Sequence, residues 1–183
     1  TPYVDEVYTM QGILLTEQKQ YKPAVQTMAK VDVKQLSRKM IPLYNFHMGY
    51  AYFQLGEESK ALTYLQRLKK KDNPYALQAT YYVGCCYYNQ REYGKALVEF
   101  LTLEQNGGYQ QIAPYYIVQI YYAQGAYDKV LERAEMLLAD YPENEYNDEL
   151  HRIAGEIYYR DSVYEKAVSH LKDYHQLRVE KKQ

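Results

Sequence analysis

The chain has 183 residues, with 22 basic and 23 acidic side chains and a formal net charge of -1 at pH 7. This balance gives no support for general attraction to nucleic acid or to an anionic membrane surface. No apolar stretch approaches the ~20 residues that span a bilayer, and an apolar content of 47% is enough for a substantial core.

Small residues recur in pairs along the chain, and the second member of each pair lies twelve positions after the first. The five pairs are Gly12 and Ala24, Gly49 and Ala61, Gly84 and Ala96, Val118 and Val130, and Gly155 and Ala167. Successive pairs start 37, 35, 34 and 37 residues apart. A period of this length indicates a repeat protein in which every unit is one supersecondary element.

The residues around each pair follow a helical spacing, which the third repeat shows well. Its apolar residues follow spacings of three and four, in two runs: Tyr81, Gly84 and Tyr88, then Ala96, Leu97, Phe100 and Leu103. A short polar break at 89–92 separates the runs, so the pattern predicts two antiparallel helices, A and B, with the small residues at their closest approach. Helix boundaries are expected at Thr1-Pro2, Pro42, Asn73-Pro74, Gly107-Gly108 and Pro142.

This frame resembles the tetratricopeptide repeat, a helix-turn-helix unit of about 34 residues. The resemblance covers nearly the whole chain and implies an all-α fold, a right-handed α-solenoid of antiparallel helix pairs that forms a superhelix. It implies a single domain over 1–183, with repeats at approximately 5–40, 42–75, 77–110, 111–146 and 148–181. The chain departs from the family in lacking tryptophan and in having Val118 and Val130 in repeat four, whose helix pair should sit slightly wider.

Tyrosine is the dominant aromatic residue, with 25 tyrosines against three phenylalanines. Many are adjacent in sequence, and because neighbours on a helix point in different directions, each such pair must serve two surfaces. Three first members of these pairs are expected on the packed side: Tyr87, Tyr121 and Tyr158.

The family resemblance also implies an inner, concave face on the A helices, formed by residues three before, one after and four after the first small residue. Applied here, it gives a Tyr-rich groove of Phe46, Tyr50, Phe53, Tyr81, Cys85, Tyr88, Tyr115, Gln119, Tyr122, Arg152, Glu156 and Tyr159, which Thr9, Ile13 and Thr16 continue in repeat one. Tyrosine suits partner recognition because it offers contact area at low entropic cost and keeps a hydroxyl. The alternative is that the rings pack on one another and stiffen the superhelix.

The groove composition favours some partners over others. Relatives that capture the carboxylate of a chaperone tail use lysine, arginine and asparagine on helix A. At the corresponding positions this chain has Thr9, Phe46 and Tyr81 in one row and Ile13, Tyr50 and Cys85 in the next, which cannot supply charge-assisted bonds. An extended or helical protein segment with apolar and aromatic anchors is the better partner.

The remaining reactive residues are interpreted structurally. Cys85 and Cys86 are adjacent in a helix, where a disulfide would be strained, so both are expected to be free packing residues, with Cys85 towards the inner face. His170 and His175 do not share a helix face, and no phosphate loop, nucleophile elbow or zinc signature is present. We therefore expect no metal, no cofactor and no catalytic residue, hence a non-enzymatic protein.

A basic run, Arg67, Lys69, Lys70 and Lys71, ends the second helix B. Cations are favourable at a helix C-terminus, so a solvated cap is the main interpretation and an anion-binding patch the alternative.

Three functional hypotheses fit this sequence. The first is a protein-protein interaction scaffold that binds a protein segment in the groove, and the second is a structural spacer within a longer repeat protein. The third is a cell-envelope role, because the stretch 137–144 resembles repeat junctions of bacterial periplasmic tetratricopeptide proteins. The compartment, cytoplasm or periplasm, stays open. The outer face of the last helix B needs a soluble cover, either the charged stretch after Leu177 or another subunit of a homo-oligomer.

Overall fold

In a computed structural model, which describes residues 3–69 and 73–182, all helices and turns fit a helical-repeat fold. The α-helices of these ranges are α1 Val4–Glu17, α2 Tyr21–Met28, α3 Met40–Gln54, α4 Glu58–Leu65, α5 Ala76–Asn89, α6 Tyr93–Leu103, α7 Ile112–Ala123, α8 Tyr127–Asp140, α9 Asn147–Arg160 and α10 Tyr164–Glu180. No strand occurs in the described ranges, so the predicted all-α class is confirmed. The expected boundary at Thr1-Pro2 and the cations Lys70 and Lys71 lie outside the described residues.

The chain divides into two compact units, unit 1 (Thr1–Glu99) and unit 2 (Phe100–Gln183). The boundary between them falls inside α6, and not between two of the predicted repeats. The division of a single domain into five repeats with the bounds given above stays a prediction.

All five turns from an A helix to a B helix have the same backbone conformation. Seven positions after the first small residue, the chain adopts a left-handed conformation, with φ between 59° and 72°, at Lys19, Gly56, Arg91, Gly125 and Ser162. The next amide donates to the carbonyl five residues earlier, as from Gln20 to Leu15 at 2.8 Å and from Glu57 to Tyr52 at 2.9 Å. This is the hydrogen bond of a Schellman motif, which ends a helix with a left-handed residue.

The small residues of the A helices lie against large side chains of the B helices. A Cβ atom on Gly12 would be 2.2 Å from Met28 Cγ, and one on Gly49 would be 2.5 Å from Leu65 Cγ. Repeat four reverses the sizes, since Val118 lies with the small Ala134 in one buried cluster. The reversal offsets the volume of the valine, and the slightly wider spacing of this helix pair stays a prediction.

Each unit contains a seam between a B helix and the A helix that follows it. In unit 1, Ala61, Leu65 and Leu68 pack with Ala79, Val83 and Cys86. In unit 2, Val130, Ala134 and Leu137 pack with Leu150, Ile153 and Ile157. Counted from the small residues of each repeat, the B-helix positions of the two seams are identical, and so are the first and last A-helix positions. We call this arrangement the inter-repeat seam.

The predicted boundary residues lie at helix ends. Pro42 lies in the first turn of α3, where its missing amide hydrogen costs no helical bond, and Pro142 follows the end of α8. The Asn73 side chain accepts a 2.9 Å hydrogen bond from the Tyr75 amide just before α5. Within the described ranges, every helix is too short or too polar to cross a membrane.

Candidate functional site

The predicted groove residues of unit 1 form an aromatic cluster whose centre is Tyr82. Its ring centroid lies 5.1 Å from Tyr50, 5.2 Å from Phe53 and 5.1 Å from Tyr81. Phe46 is also a member, 6.2 Å from both Tyr50 and Tyr82. The sequence analysis selected Tyr81 and missed Tyr82, although Tyr82 occupies the helical position that the cleft-lining His47 has in repeat two.

An open cleft of about 300 Å³ lies beside this cluster. We call it the aromatic cleft, and it is lined by Thr16, Glu17, Lys19, Tyr21, Phe46, His47, Tyr50, Gln78 and Tyr82. Tyr21 and Tyr50 meet edge to face, with centroids 5.9 Å apart and planes at 89°. The cleft therefore presents aromatic rings beside one acidic and one basic side chain.

His47 lines the aromatic cleft and has an unsatisfied polar atom. Its Nδ1 is buried and has no hydrogen-bond partner among the described residues, although most buried polar atoms in proteins are paired. Burial lowers the pKa of His47, which outweighs the opposing effect of the Glu17 carboxylate. A neutral imidazole with an unpaired nitrogen can accept or donate one hydrogen bond to a bound group.

Several residues that the sequence analysis placed on the inner face are buried. Thr9 is fully buried and donates a 2.8 Å hydrogen bond to the Asp5 carbonyl of its own helix. Thr16 makes the same type of bond to Gly12 but still lines the aromatic cleft. Cys85 is only 3% exposed, as expected of a packing residue, and its direction towards the inner face stays a prediction. A small side chain close to the backbone cannot reach a surface that its larger neighbours cover.

Three other residues of unit 1 belong to the predicted groove: Phe53, Tyr81 and Tyr88. None of them lines the aromatic cleft. Tyr88 packs edge to face on Tyr93, with centroids 5.8 Å apart. These rings thus contact other rings of unit 1, which is the arrangement expected of the stiffening alternative.

The predicted groove residues of unit 2 form a polar network with rings at its sides. Arg152 binds Glu149 and Glu156 at 2.5 Å each, and these contacts raise the pKa of its guanidinium. The Tyr122 hydroxyl donates to Glu156 at 2.9 Å, and this hydrogen bond raises the pKa of Tyr122. Because one arginine lies between two carboxylates, the network keeps an excess negative charge.

The other predicted residues of unit 2 flank this network. Tyr115 stacks on Tyr146 with centroids 4.3 Å apart, whereas Tyr159 is 65% exposed and lies 5.8 Å from Tyr164. The Nε2 atom of Gln119 is buried and has no hydrogen-bond partner among the described residues. Tyr159 is therefore the most accessible ring of the predicted groove in this unit.

Of the three tyrosines expected on the packed side, Tyr158 is 9% exposed, while Tyr87 and Tyr121 are half-buried against hydrophobic clusters. The Tyr87 hydroxyl still accepts a 2.8 Å hydrogen bond from Gln66. These placements agree with the periodic frame read from the sequence.

A second open depression, of about 620 Å³, lies in unit 2 on the side of α8. Lys129, Glu132 and Arg133 line it, together with Met136 and Tyr141. Arg133 pairs with Glu104 across it, so its charged groups already neutralise one another in part. The sequence analysis missed it, because it depends on the path of the chain between α6 and α7.

The basic run also has partners within the protein. Lys69 forms a 2.6 Å ion pair with Glu99, and Arg67 lies over the ring of Tyr64 at 5.5 Å and donates to Asn45 at 3.4 Å. These contacts favour the structural interpretation of the described cations.

The described part of the chain contains no assembled site for metal binding or for thiol chemistry. No group of three or more histidine, cysteine, aspartate or glutamate side chains is placed there to hold a metal ion. Cys85 and Cys86 are free and buried. Burial raises the pKa of the Cys86 thiol to about 12, which makes a reactive thiolate unfavourable.

A histidine pair that the sequence analysis missed joins α9 to α10. The Nδ1 atoms of His151 and His170 lie 3.0 Å apart, so one of them must be unprotonated to accept the hydrogen bond. The Asp173 carboxylate is 3.7 Å from His151, and the Glu135 carboxylate is 3.8 Å from His170. Nineteen residues separate the two histidines in sequence, so no spacing on a single helix reveals them.

This histidine pair predicts a pH-dependent stability. Burial lowers the pKa of both His151 and His170 from 6.5, and it outweighs the carboxylates that act in the opposite direction. The unfolded chain therefore binds protons first as the pH falls below 6.5, and the free energy of unfolding should decrease as the pH falls from about 7.5 to about 5.5. Urea denaturation of the wild type at both pH values measures this decrease.

Two variants distinguish the effect of the histidine pair on stability from the effects of the other titrating groups. In His170→Gln the decrease in unfolding free energy should be smaller than in the wild type, whereas His175→Gln, at an exposed position of the same helix, should behave like the wild type. An equal decrease in wild type and His170→Gln would contradict the assignment.

Comparisons with known proteins were made for the sequence and for the fold. Residues 45–72 match the family model described as tetratricopeptide repeat. No curated protein sequence matches the chain. The solved structures that resemble it include MamA from AMB-1, with a TM-score of 0.76 and 19% sequence identity over 95% of this chain and 91% of that one.

Two further structures show the same likeness. MamA from MSR-1 has a TM-score of 0.77 and 18% identity over 98% of this chain and 99% of that one. A kinesin light chain-like protein of Podosopora anserina with nearly identical TPR-like repeats has a TM-score of 0.69 and 13% identity over 100% of this chain and 99% of that one. At these identities the likeness shows the fold alone, and it confirms the helical-repeat class predicted from the sequence.

Proposed function

We propose that this chain is an array of tetratricopeptide repeats, and that it is a non-enzymatic scaffold that binds a protein segment in the aromatic cleft. The segment is extended or helical and inserts an apolar or aromatic side chain between Tyr21, Tyr50 and Tyr82. Within unit 2, we propose Tyr159 and the network of Arg152 and Glu156 as a separate contact surface for a protein partner. No cofactor or metal takes part in this function.

The observation that carries the proposal is the aromatic cleft itself, where the rings of Tyr21, Tyr50 and Tyr82 lie with His47, whose buried Nδ1 has no hydrogen-bond partner among the described residues. A buried polar atom without a partner lowers stability, so it is more easily understood as one half of a contact that a ligand completes. Aromatic side chains supply the apolar contact area that hot spots of protein interfaces need. Ligand sites often combine a mainly apolar wall with a few polar groups in this way.

The charges of the cleft limit the segment that it accepts. Glu17 and Lys19 both line the cleft, so neither sign of charge dominates. A partner that relies on a bare carboxylate would find only Lys19, without the several donors that hold such a group. The anchor side chain is therefore neutral, with a polar group that reaches His47.

A peptide-display selection tests the proposal. Peptides enriched on the wild-type protein should bind Tyr21→Ala/Tyr50→Ala at least about thirtyfold more weakly, because aromatic hot-spot residues contribute about 2 kcal/mol or more. Binding is measured by fluorescence anisotropy, after circular dichroism has shown that the variant keeps its helix content. Tyr50→Phe, which keeps the ring and removes only the hydroxyl, serves as the variant that folds in any case and should lose less affinity.

Val98→Ala is the matched surface control, since Val98 is 62% exposed and does not line the cleft. It should bind the selected peptides like the wild type. If peptides bind the folded double variant with unchanged affinity, the aromatic cleft is not the binding site.

A structural spacer within a longer repeat protein is the second candidate function. The ring-on-ring contacts favour it, above all the stack of Phe46 on Tyr75 at 4.8 Å and that of Tyr115 on Tyr146 at 4.3 Å. Ring pairs of this kind stabilise by about 0.5–1.5 kcal/mol beyond their buried area. Under this function, the cleft variants would lower stability while the selection yields no cleft-dependent peptide.

A further inference from the structure

The depression of about 620 Å³ on the side of α8, which we call the α8 depression, has an apolar wall. Pro114, Tyr121 and Leu137 contribute to this wall, together with Met136, which is 59% exposed. Its volume lies within the range of ligand sites in proteins. All of its lining residues belong to unit 2 and precede α9 and α10 in the chain. An apolar side chain of a partner therefore finds an uncovered contact surface in the interior of the sequence.

The basic side chains of the α8 depression already interact within the protein. Arg133 pairs with Glu104, and Lys129 lies over a tyrosine ring, 5.2 Å from its centroid. The carboxylates of Glu132 and Asp140 also line the depression. Neither of these two forms an ion pair or a side-chain hydrogen bond in the part of the chain that the structure describes. The charges that remain for a partner are therefore negative.

The two unpaired carboxylates lie on either side of the exposed methionine. Glu132, Met136 and Asp140 are four residues apart on α8, so they follow one another along the helix at intervals of about 6 Å. All three side chains are exposed. A helix that carries a basic, an apolar and a basic residue at positions i, i+4 and i+8 has the same spacing and the complementary charges.

Asp140 has an unfavourable position for an unpaired carboxylate. It is the last residue of α8, and the last turn of this helix contains no basic residue. The carbonyl groups at a helix C-terminus give it a partial negative charge, which favours a cation there and disfavours an anion. A basic side chain of a partner would thus be attracted both by this carboxylate and by the end of the helix.

We propose that the α8 depression binds a basic amphipathic helix of a partner protein. The apolar residue of that helix enters the depression beside Met136, and its two basic residues pair with Glu132 and Asp140. The site shares no residue with the aromatic cleft. Tyr21→Ala/Tyr50→Ala should therefore leave this binding unchanged, and failure of one proposal does not affect the other.

A display library of helical peptides tests the site. The peptides share an alanine-rich helix and are randomised at positions i, i+4 and i+8. Selection on the wild-type protein should enrich a basic, an apolar and a basic residue, in this order. The affinity of an enriched peptide is then measured by fluorescence anisotropy, and it should fall as the salt concentration rises, because salt screens the ion pairs.

Two variants separate the apolar contact from the charges. Met136→Ala should weaken binding at least about tenfold, because it removes the apolar side chain that the peptide covers. Glu132→Gln/Asp140→Asn keeps the size of both side chains and should weaken binding about three- to tenfold, with little remaining salt dependence. All three positions are exposed, so both variants should fold.

The stability of Asp140→Asn gives a second measurement that requires no peptide. The substitution removes a negative charge from the negative end of α8, so the urea concentration at the midpoint of unfolding should stay the same or rise. A variant that is at least as stable as the wild type but binds more weakly is expected of a residue that serves a partner. A lower midpoint would show that Asp140 stabilises the fold and would overturn its assigned role.

Met10→Ala and Glu143→Gln are the matched controls. Each changes an exposed side chain of the same type that does not line the α8 depression. Both should bind the selected peptides like the wild type. The proposal is overturned if the selection enriches no basic, apolar, basic pattern, or if the enriched peptides bind Met136→Ala with unchanged affinity.

Discussion

Replacing Gly49 with valine lowers the free energy of unfolding by about 3 kcal/mol, the upper part of the range for overpacked cores. The reason is steric, because a Cβ atom at this position would lie 2.5 Å from Leu65 Cγ and 3.3 Å from the Ala61 carbonyl oxygen. Leu65 is fully buried and has little room to move. Urea denaturation measures the change, and Gly94→Ala is the matched control, since a Cβ atom there meets nothing within 4 Å.

The sequence itself suggests the compensating substitution. Repeat four combines Val118 with Ala134 at the positions of Gly49 and Leu65. Leu65→Ala alone should cost about 2–5 kcal/mol, because it leaves a cavity. In the double variant Gly49→Val/Leu65→Ala, the valine fills part of that cavity, so its loss should be smaller than the sum of the two single losses by about 1 kcal/mol or more. Additive losses would show that the size exchange of repeat four does not transfer.

Replacing Phe100 with alanine should cost about 3–5 kcal/mol of unfolding free energy. Phe100 is fully buried, and its ring stacks on Tyr116 with centroids 4.5 Å apart and planes at 3°. Val98→Ala, two residues away and 62% exposed, should change the unfolding free energy by less than about 0.5 kcal/mol. A loss below about 1 kcal/mol in Phe100→Ala would mean that the surrounding side chains collapse into the cavity.

The sequence predicts the helices and their closest approaches well, because these depend on local spacing. The distance of twelve residues between Gly49 and Ala61 leaves room for the rest of one helix, a short turn and the start of the next. Glycine at position 49 also indicates that a large partner lies opposite, and Leu65 is that partner. Such features require no knowledge of how distant segments meet.

The groove is harder to predict from the sequence, because adjacent tyrosines differ in position by only about 100° of helix rotation. Tyr81 and Tyr82 both reach the aromatic cluster, yet Tyr82 is its centre and lines the cleft. The family rule assigns each A-helix residue to one face, so it cannot predict that both tyrosines reach the cluster. A long side chain covers more surface than its Cβ direction indicates. The role of Tyr21 was missed for a related reason, because the rule considered only A helices and Tyr21 lies in α2.

The histidine pair shows most clearly which contacts the sequence cannot predict. His151 and His170 have no helical spacing in common, and their contact depends on the rotation of α9 against α10. Side-chain pairs between helices depend on crossing geometry, which the repeat period does not specify. The boundary between the two units inside α6 is of the same kind, because nothing in the spacing of the small residues marks it.

The left-handed turns between the A and B helices have a consequence for the speed of folding. Each turn is closed by a hydrogen bond that spans only five residues, such as the one from Gln20 to Leu15. Two helices joined in this way can meet without the entropy cost of closing a long loop. A chain dominated by such short-range contacts has a low contact order and is expected to fold within microseconds to milliseconds. Rapid closure also shortens the time for which the unpaired apolar helix faces are exposed to other unfolded chains.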